Sequence, residues 1–288
     1  MKVLVTGAAG FVGGYLAREF PNDQLLLCDI AKSDDPKITK LNVADAKEAS
    51  EVISGFGPDQ IYHLAAIPSP RFASEELIQK VNVEGTRNIL EACRKSAPKA
   101  RVILVSSGYV YGECVRPAEE SDELAPQGAY ANSKADMERM AVEEFSDLDF
   151  VIARPFNHSG KGQKLGTVFP DLSAQIDGLP KDGKGTIKTF DLDNERDFLH
   201  VKDVVKAYKL LARKGKRKEV YNICSGKAVS IREILNKILE RRAIQGAQIY
   251  EQKLSNPLKK SYGSNKKMMS LGWLPKYSLD DIVGEFSK

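Results

Sequence analysis

Lys2-Val3-Leu4-Val5-Thr6-Gly7-Ala8-Ala9-Gly10-Phe11-Val12-Gly13 is the stretch on which the reading of this chain turns. Val3, Leu4 and Val5 form a short apolar run closed by a glycine, the pattern of a buried strand. Gly7, Gly10 and Gly13 then lead into a helix-compatible segment that starts at Phe11. A glycine at position 7 allows a tight turn, one at 10 lets the backbone approach a pyrophosphate, and one at 13 lets the helix pack closely on the sheet. The first N–H groups of such a helix, at Phe11 and Val12, lack helical partners and suit an anion. Strand, glycine triplet and helix in that order predict a dinucleotide-binding turn. Asp29 closes the next apolar run, sixteen residues after Gly13. A carboxylate there accepts from ribose hydroxyls and repels a 2′-phosphate, which favours NAD over NADP; the alternative is an ordinary turn aspartate. Lys32 lies close by in sequence and would soften that preference.

Outward from this turn, strands are predicted at 2–6, 24–29, 60–65, 101–106 and 149–153, alternating with amphipathic helices at 11–20, 44–54, 74–95 and 129–145. Parallel strands need helical crossovers, and near-continuous apolar strands need cover on both faces. The fold class is therefore α/β: a Rossmann-like doubly wound parallel sheet. After Arg154 the rhythm changes. Residues 157–166 are rich in Gly and Lys, 180–197 read as a loop or hairpin, 203–213 as a helix and 219–224 as a strand. Ser230 and Glu233 form a capping box for a helix over 230–241, with a weaker version at Ser278 and Asp281. Residues 1–155 are assigned to the dinucleotide-binding domain, with 200–225 returning to it. Residues 156–199 and 226–288 form a smaller interleaved substrate-binding lobe, and a ligand belongs outside the carboxyl ends of the strands.

Hydrophobic content of 42% and charged content of 28% are ordinary for a globular chain. The net charge of +4 is spread over single lysines, which reads as a solvated surface rather than a nucleic-acid stripe, and is compatible with a mildly basic cleft for a diphosphate. Cys28, Cys93, Cys114 and Cys224 sit in or beside apolar segments and read as reduced core thiols. His63, His158 and His200 are far apart, so no metal site is expected. No apolar stretch reaches the roughly 18 residues of a membrane span and no signal peptide is recognisable, so a cytoplasmic location is expected.

Tyr130-Ala131-Asn132-Ser133-Lys134 lies in a predicted helix, where a spacing of four puts Tyr130 and Lys134 on one face. A phenol near pKa ~10 is a poor acid or base at neutral pH. A nearby ammonium and an oxidised nicotinamide would lower that value and let Tyr130 exchange a proton with a hydroxyl or carbonyl. Ser107, in Ser106-Ser107-Gly108-Tyr109-Val110-Tyr111-Gly112 at the end of a predicted strand, offers a hydroxyl to the reacting oxygen; the alternative is a serine that caps the strand end.

The glycine turn, His63-Leu64-Ala65-Ala66, Asn82-x-x-Gly85-Thr86, the Ser107 loop and Tyr130/Lys134 together resemble the extended short-chain dehydrogenase/reductase family, also called the NAD-dependent epimerase/dehydratase family. That resemblance implies Ser107, Tyr130 and Lys134 as catalytic residues, with Asn82 positioning the lysine region. It implies a dinucleotide held by Gly7, Gly10, Phe11, Val12, Gly13, Asp29, Asn42, Val43, Leu64, Ala65, Ala66, Asn82, Tyr130, Lys134 and Pro155. Substrate contacts would fall on Ser107, Tyr109, Asn157, Gln163, Val168 and Arg196.

Within the family, Arg154-Pro155-Phe156-Asn157-His158 with Gly160, Gly162, Gln163, Val168 and Asp171 resembles the substrate loop of GDP-4-keto-6-deoxy-mannose reductases. Arg196-Asp197-Phe198-Leu199-His200-Val201-x-Asp203 is similar to the family's arginine segment facing the substrate diphosphate. Asn157 and Arg196 have the donors for phosphate oxygens, the reading preferred here; the alternatives are a β-turn for Asn157 and a surface ion pair for Arg196. His158 reads more simply as a packed histidine. One departure stands out: related reductases carry an arginine in the turn where this chain has Leu254-Ser255-Asn256-Pro257-Leu258-Lys259-Lys260, and lysine lacks the bidentate fork. Gly108 and Tyr109 occupy the positions where 4,6-dehydratases carry acidic residues, which argues against elimination of water. The expected activity is reduction by NADH, with NADPH left open, of a 4-keto-6-deoxy hexose on a nucleoside diphosphate, GDP first. The alternatives are an NAD-dependent 4-epimerase and a non-catalytic dinucleotide sensor. Residues 74–95 and 129–145 resemble the family's dimer-forming helices, so a homodimer is expected.

Overall fold

The computed structural model describes residues 1–30, 36–68, 73–254 and 258–287. β1 (Lys2–Thr6) runs through the glycine turn into α1 (Phe11–Ala17), followed by β2 (Gln24–Asp29), β3 (Ile38–Lys40), α2 (Ala46–Phe56) and β4 (Gln60–His63). α2 is well punctuated: the Asp45 carboxylate accepts from the amides of Lys47 and Glu48, and Gly57 ends the helix at a φ of 61°. Next come α3 (Glu75–Gln79), α4 (Gly85–Ser96), β5 (Arg101–Val105), α5 (Gly128–Glu144) and β6 (Asp149–Pro155).

The second half interleaves. β7 (Asn157–Ser159), α6 (Val168–Asp177), β8 (Gly185–Phe190), β9 (Glu195–Arg196) and β10 (Phe198–His200) lead to α7 (Val201–Lys214) and β11 (Val220–Ile223). β12 (Val229–Ser230), α8 (Ile231–Arg241), β13 (Ala247–Gln252), β14 (Lys260–Ser261), α9 (Lys266–Ser270) and α10 (Leu279–Glu285) complete the chain.

Seven strands form one sheet in the order β11-β6-β5-β4-β1-β2-β3, all parallel. The order reverses between β1 and β4, which opens a crevice at their carboxyl ends. The period of two along a strand explains why the runs look continuously apolar. On β1, Leu4 packs with α2, α4 and α5 on one face, while Val3 and Val5 pack with α1 and α7 on the other. A separate cluster, built on Phe169, Ile187, Ile234, Ile238 and Ile282, forms the core of the second half.

Two expectations are corrected. The single helix predicted over 74–95 is broken by a wider π-turn at residues 80–84, in which the Gly85 amide reaches back to the Lys80 carbonyl. The extra residue rotates Asn82 inward, a register that an unbroken 3.6-residue repeat cannot provide. The segment 180–197 is not a local hairpin. β8 pairs in parallel with β13, Gly185 opposite Ala247 through Phe190 opposite Gln252. Ile187 and Thr189 point inward while Thr186, Lys188 and Phe190 are exposed, an alternation obscured by the neighbouring glycines and charges. The partner strand is too distant in sequence for local turn chemistry to reveal it.

Because Ile187 is fully buried, Ile187→Ala is expected to destabilise the fold by about 2–4 kcal/mol in urea denaturation. A surface loop at this position would show almost no change.

Candidate active site

At the end of β1, Gly7 adopts a φ of 70°, and a Cβ there would lie 2.8 Å from the Ala65 nitrogen. A Cβ on Gly13 would lie 2.4 Å from the Gly7 carbonyl oxygen and 2.6 Å from the Ala8 Cα. The close approach that requires glycine at 13 is therefore to the turn itself rather than to the sheet. Asp29 lies across the turn, where one of its oxygens accepts from the Ala9 amide at 3.0 Å. The two readings of this residue combine, since the carboxylate braces the turn and also lines the crevice. Lys32 lies outside the described residues.

Tyr130 sits in the first turn of α5 and Lys134 one turn later, and both line the same crevice. Burial pushes the Tyr130 phenol up to about 12, opposed by the nearby Ser107 hydroxyl and reinforced by Tyr109. The expectation that Lys134 lowers this phenol is not met by the protein's own groups. The Lys134 amine donates to the Val105 carbonyl at 2.7 Å, and burial pulls it down to about 8. Ser107 caps the turn that follows it, its hydroxyl accepting from the Tyr109 amide at 3.2 Å, and it lines the crevice together with Tyr130. Tyr109 in turn donates to the Asn157 side chain at 2.9 Å. Asn157 is a strand residue opposite Phe198, not a turn residue.

Behind this surface a buried chain of hydrogen bonds joins the glycine turn to α5. The Thr86 hydroxyl donates to the Asn82 carbonyl at 2.7 Å, so it must accept from His63 Nε2, 3.0 Å away. His63 Nδ1 is then the acceptor for the Thr6 hydroxyl at 2.8 Å, and Thr6 accepts from the Ala65 amide at 3.2 Å. This scheme requires a neutral ring, and burial holds His63 down at about 3. Asn82 accepts from the Ile67 amide at 2.7 Å and donates to Ser133 at 2.9 Å, and Ser133 donates to the Tyr130 carbonyl at 2.8 Å.

A cavity of about 1560 Å³ connects these parts, larger than the 300–1,000 Å³ usual for one small ligand. The fingerprint residues Gly7, Gly10, Phe11, Val12, Gly13 and Asp29 line it, as do Asn42, Val43, Leu64, Ala65, Ala66 and Pro155. Ser107, Tyr109, Asn157, Gln163 and Val168 line it further along. Two expected residues do not. Asn82 is sealed at 1% exposure with its amide committed to Ile67 and Ser133, so it positions rather than contacts. Arg196 is turned away, its guanidinium donating to the carbonyls of Glu195, Leu258 and Lys259. Cationic lining comes instead from Arg18, Lys161, Lys164 and Lys188, which carried no motif signal. His158 lies nearly parallel to the Phe11 ring, with centroids 6.4 Å apart, and its Nδ1 bonds the Phe156 carbonyl. Among the described residues, the carboxylates on the cavity lining are Asp29 and Asp171, and Asp171 holds the Gly166 amide at 2.7 Å. Among the described residues, no cluster of His, Cys, Asp and Glu is arranged to hold a metal ion, and no helix is long and apolar enough to cross a membrane.

A model of the NAD dependent epimerase/dehydratase family matches residues 3–224. The chain belongs to that family. It is 30% identical over 252 residues to the GDP-6-deoxy-D-mannose reductase of Pseudomonas aeruginosa, a match that covers 83% of this chain and 79% of that protein. The structure of RMD from Pseudomonas aeruginosa complexed with NADPH matches with a TM-score of 0.83 at 26% identity, covering 99% of this chain and 97% of that one. A UDP-glucose 4-epimerase from Thermus thermophilus, in complex with NAD, gives a TM-score of 0.86 at 26% identity and covers 99% of each chain. The similar proteins are thus sugar-nucleotide reductases and epimerases, with dehydratases also among them. The glycine turn fits the family's dinucleotide, since a Cβ at 7 or 13 would collide with backbone and the tight turn that lines the cavity could not form.

Gly13 and Gly14 are adjacent in α1 but differ in surroundings: a Cβ on Gly14 meets nothing within 4 Å. Gly14→Ala is expected to stabilise the protein by about 0.5–1 kcal/mol through helix propensity. Gly13→Ala is expected to destabilise it by about 1–3 kcal/mol through overpacking. Thermal melts of the two variants that shift in the same direction would contradict this geometry.

Proposed function

We propose that the protein is a nucleotide-sugar oxidoreductase that reduces a 4-keto-6-deoxy hexose carried on a nucleoside diphosphate, GDP in the first instance. The observation that carries this reading is that Tyr130, Lys134 and Ser107 line the same cavity as the glycine turn. Gly7, Gly10, Phe11, Val12, Gly13 and Asp29 hold NAD(P)H, with Lys134 at its nicotinamide ribose. The bound cofactor supplies the hydride. Asp29 favours NADH, because its carboxylate opposes a 2′-phosphate. Ser107 donates to the keto oxygen, and Tyr130 delivers the proton that this oxygen needs as charge develops on it. A phenol held near about 12 stays protonated at neutral pH, as a donor must. The diphosphate meets the cavity lysines Lys161, Lys164 and Lys188 in place of Arg196.

Elimination of water is disfavoured by the same geometry. Beside Ser107 stand Gly108, packed under the Phe156 ring, and Tyr109, bonded to Asn157. Among the described residues, the lining carboxylates Asp29 and Asp171 accept from the amides of Ala9 and Gly166. A 4-epimerase uses the same three side chains, and the equally strong likeness to the Thermus epimerase supports it as the rival reading. It requires a retained cofactor and interconversion without added NADH. A cytoplasmic homodimer through α4 and α5 belongs to the proposal on the strength of the family resemblance.

The test is consumption of NADH with a panel of keto-sugar nucleotides, followed by its near-ultraviolet absorbance. Turnover is expected with a 4-keto-6-deoxy sugar nucleotide, and no absorbance loss with any member of the panel would defeat the reading. Tyr130→Phe is expected to lower kcat by about 10²–10⁴-fold while NADH binding, measured by fluorescence, is unchanged. Activity that depends on the Lys134 ammonium is expected to fall as pH rises through about 8, since above that value the amine is neutral.

A further inference from the structure

We propose that Glu138, through its buried ion pair with Arg154, is a positioning residue that keeps Lys134 cationic and locks the three segments carrying the site side chains into one register. This rests on the roles given above to Tyr130, Lys134 and Ser107. Glu138 lies one helical turn beyond Lys134, so Tyr130, Lys134 and Glu138 form a single stripe along α5. It is 4% exposed, and Arg154 on β6 is equally buried.

The contacts reach every segment in question. Arg154 Nη2 donates to Glu138 Oε2 at 2.6 Å, and its Nε lies 3.0 Å from Oε1. The Ser106 hydroxyl, beside Ser107, also donates to Glu138 Oε1. Arg154 Nη1 donates to the Tyr111 hydroxyl at 2.6 Å, and Tyr111 donates to Asn222 on β11 at 2.7 Å. One carboxylate therefore ties α5 to the Ser106–Tyr111 turn, and its partner ties that turn to β6, just before Pro155 and Asn157. A surface pair would not impose such order, but a buried pair with further hydrogen bonds on both partners does.

The charge matters as well as the contacts. Burial works against the Lys134 ammonium, and Glu138 is the group that favours it. Other titratable or charged groups near this stripe on the described residues are Tyr109, Tyr111, His63, Arg154 and Tyr208, and burial holds the Tyr111 phenol protonated. His63 is neutral and Arg154 is cationic, so neither replaces the negative charge. Tyr208 is driven further from ionising by burial.

The test reads Lys134 directly and needs no substrate. Full-length protein labelled with [13Cε]lysine is titrated by NMR, the Lys134 resonance being assigned by its loss in Lys134→Met. The wild-type midpoint is expected at about 8. Glu138→Gln is expected to lower it by about one pH unit or more, a roughly tenfold loss of proton affinity, and Glu138→Asp to restore most of it. A midpoint unchanged in Glu138→Gln overturns the proposal. If that variant fails to fold around an unpaired Arg154, the double variant Glu138→Gln/Arg154→Met is compared with Arg154→Met alone, so that only the Glu138 charge differs, and equal midpoints in the two overturn the proposal. Where wild-type turnover is found, the falling limb of the pH–rate profile is expected to move with the midpoint. A kcat loss that is equal at every pH, with the limb in place, marks a merely structural role. A wild type inactive on every sugar nucleotide defeats the proposed reaction, while the titration still decides the role of Glu138.

Discussion

The distance between the glycine turn and the first turn of α5 is the constraint on which the rest of the site depends. It is set behind the cavity by a run of hydrogen bonds from Thr6 through His63 and Thr86 to the Asn82 carbonyl, and from the Asn82 side chain through Ser133 to the Tyr130 carbonyl. Each hydroxyl in the run both donates and accepts, so the chain has one consistent direction, which a neutral His63 preserves. Buried groups left unpaired cost about 1–3 kcal/mol each, so such a chain resists any slip that would break one member. The β1–β4 pairing places Thr6 opposite His63, and the π-turn brings Asn82 within reach of both Ile67 and Ser133. Backbone pairing and side-chain bonding thus specify the same position for Tyr130.

The parts of the structure that were legible in the sequence are those whose physics is local. The β1 turn needs glycine because backbone atoms crowd positions 7 and 13, and that requirement leaves a visible triplet. Tyr130 and Lys134 share a helix, so their spacing of four translates directly into a shared face. The central strands could be recognised because both faces are buried, which makes the runs apolar throughout. The π-turn at Asn82 was not legible, because an inserted residue changes the helical phase without changing composition. β13 was missed for a different reason. Ala247–Gln252 is mostly exposed, so it is held by pairing with β8 rather than by a buried face of its own.

Side-chain direction was the least legible property. Arg196 sits in the expected motif, on a short strand, β9, where a loop or hairpin was expected, and its guanidinium is consumed by the carbonyls of Glu195, Leu258 and Lys259. Nothing in the motif encodes that choice, which depends on where the 258–259 backbone lies. Glu138 is the converse case. It carried no signal in the sequence as a polar residue on an amphipathic helix, and only the folded sheet brings Arg154 and Ser106 against it.

The exchange of Arg196 for lysines on the cavity wall has a consequence for recognition. An arginine fork fixes the planes of two phosphate oxygens at once, whereas an ammonium attracts charge with little angular demand. Lys161, Lys164 and Lys188 are all exposed to solvent, so their attraction is screened and falls with salt. The diphosphate end of a substrate would then be held loosely in orientation. On the proposed reading, discrimination falls to the other end, where Ser107, Tyr109 and Asn157 are joined by directional hydrogen bonds beside Tyr130. On that reading the sugar ring, rather than the phosphates, would decide what is turned over.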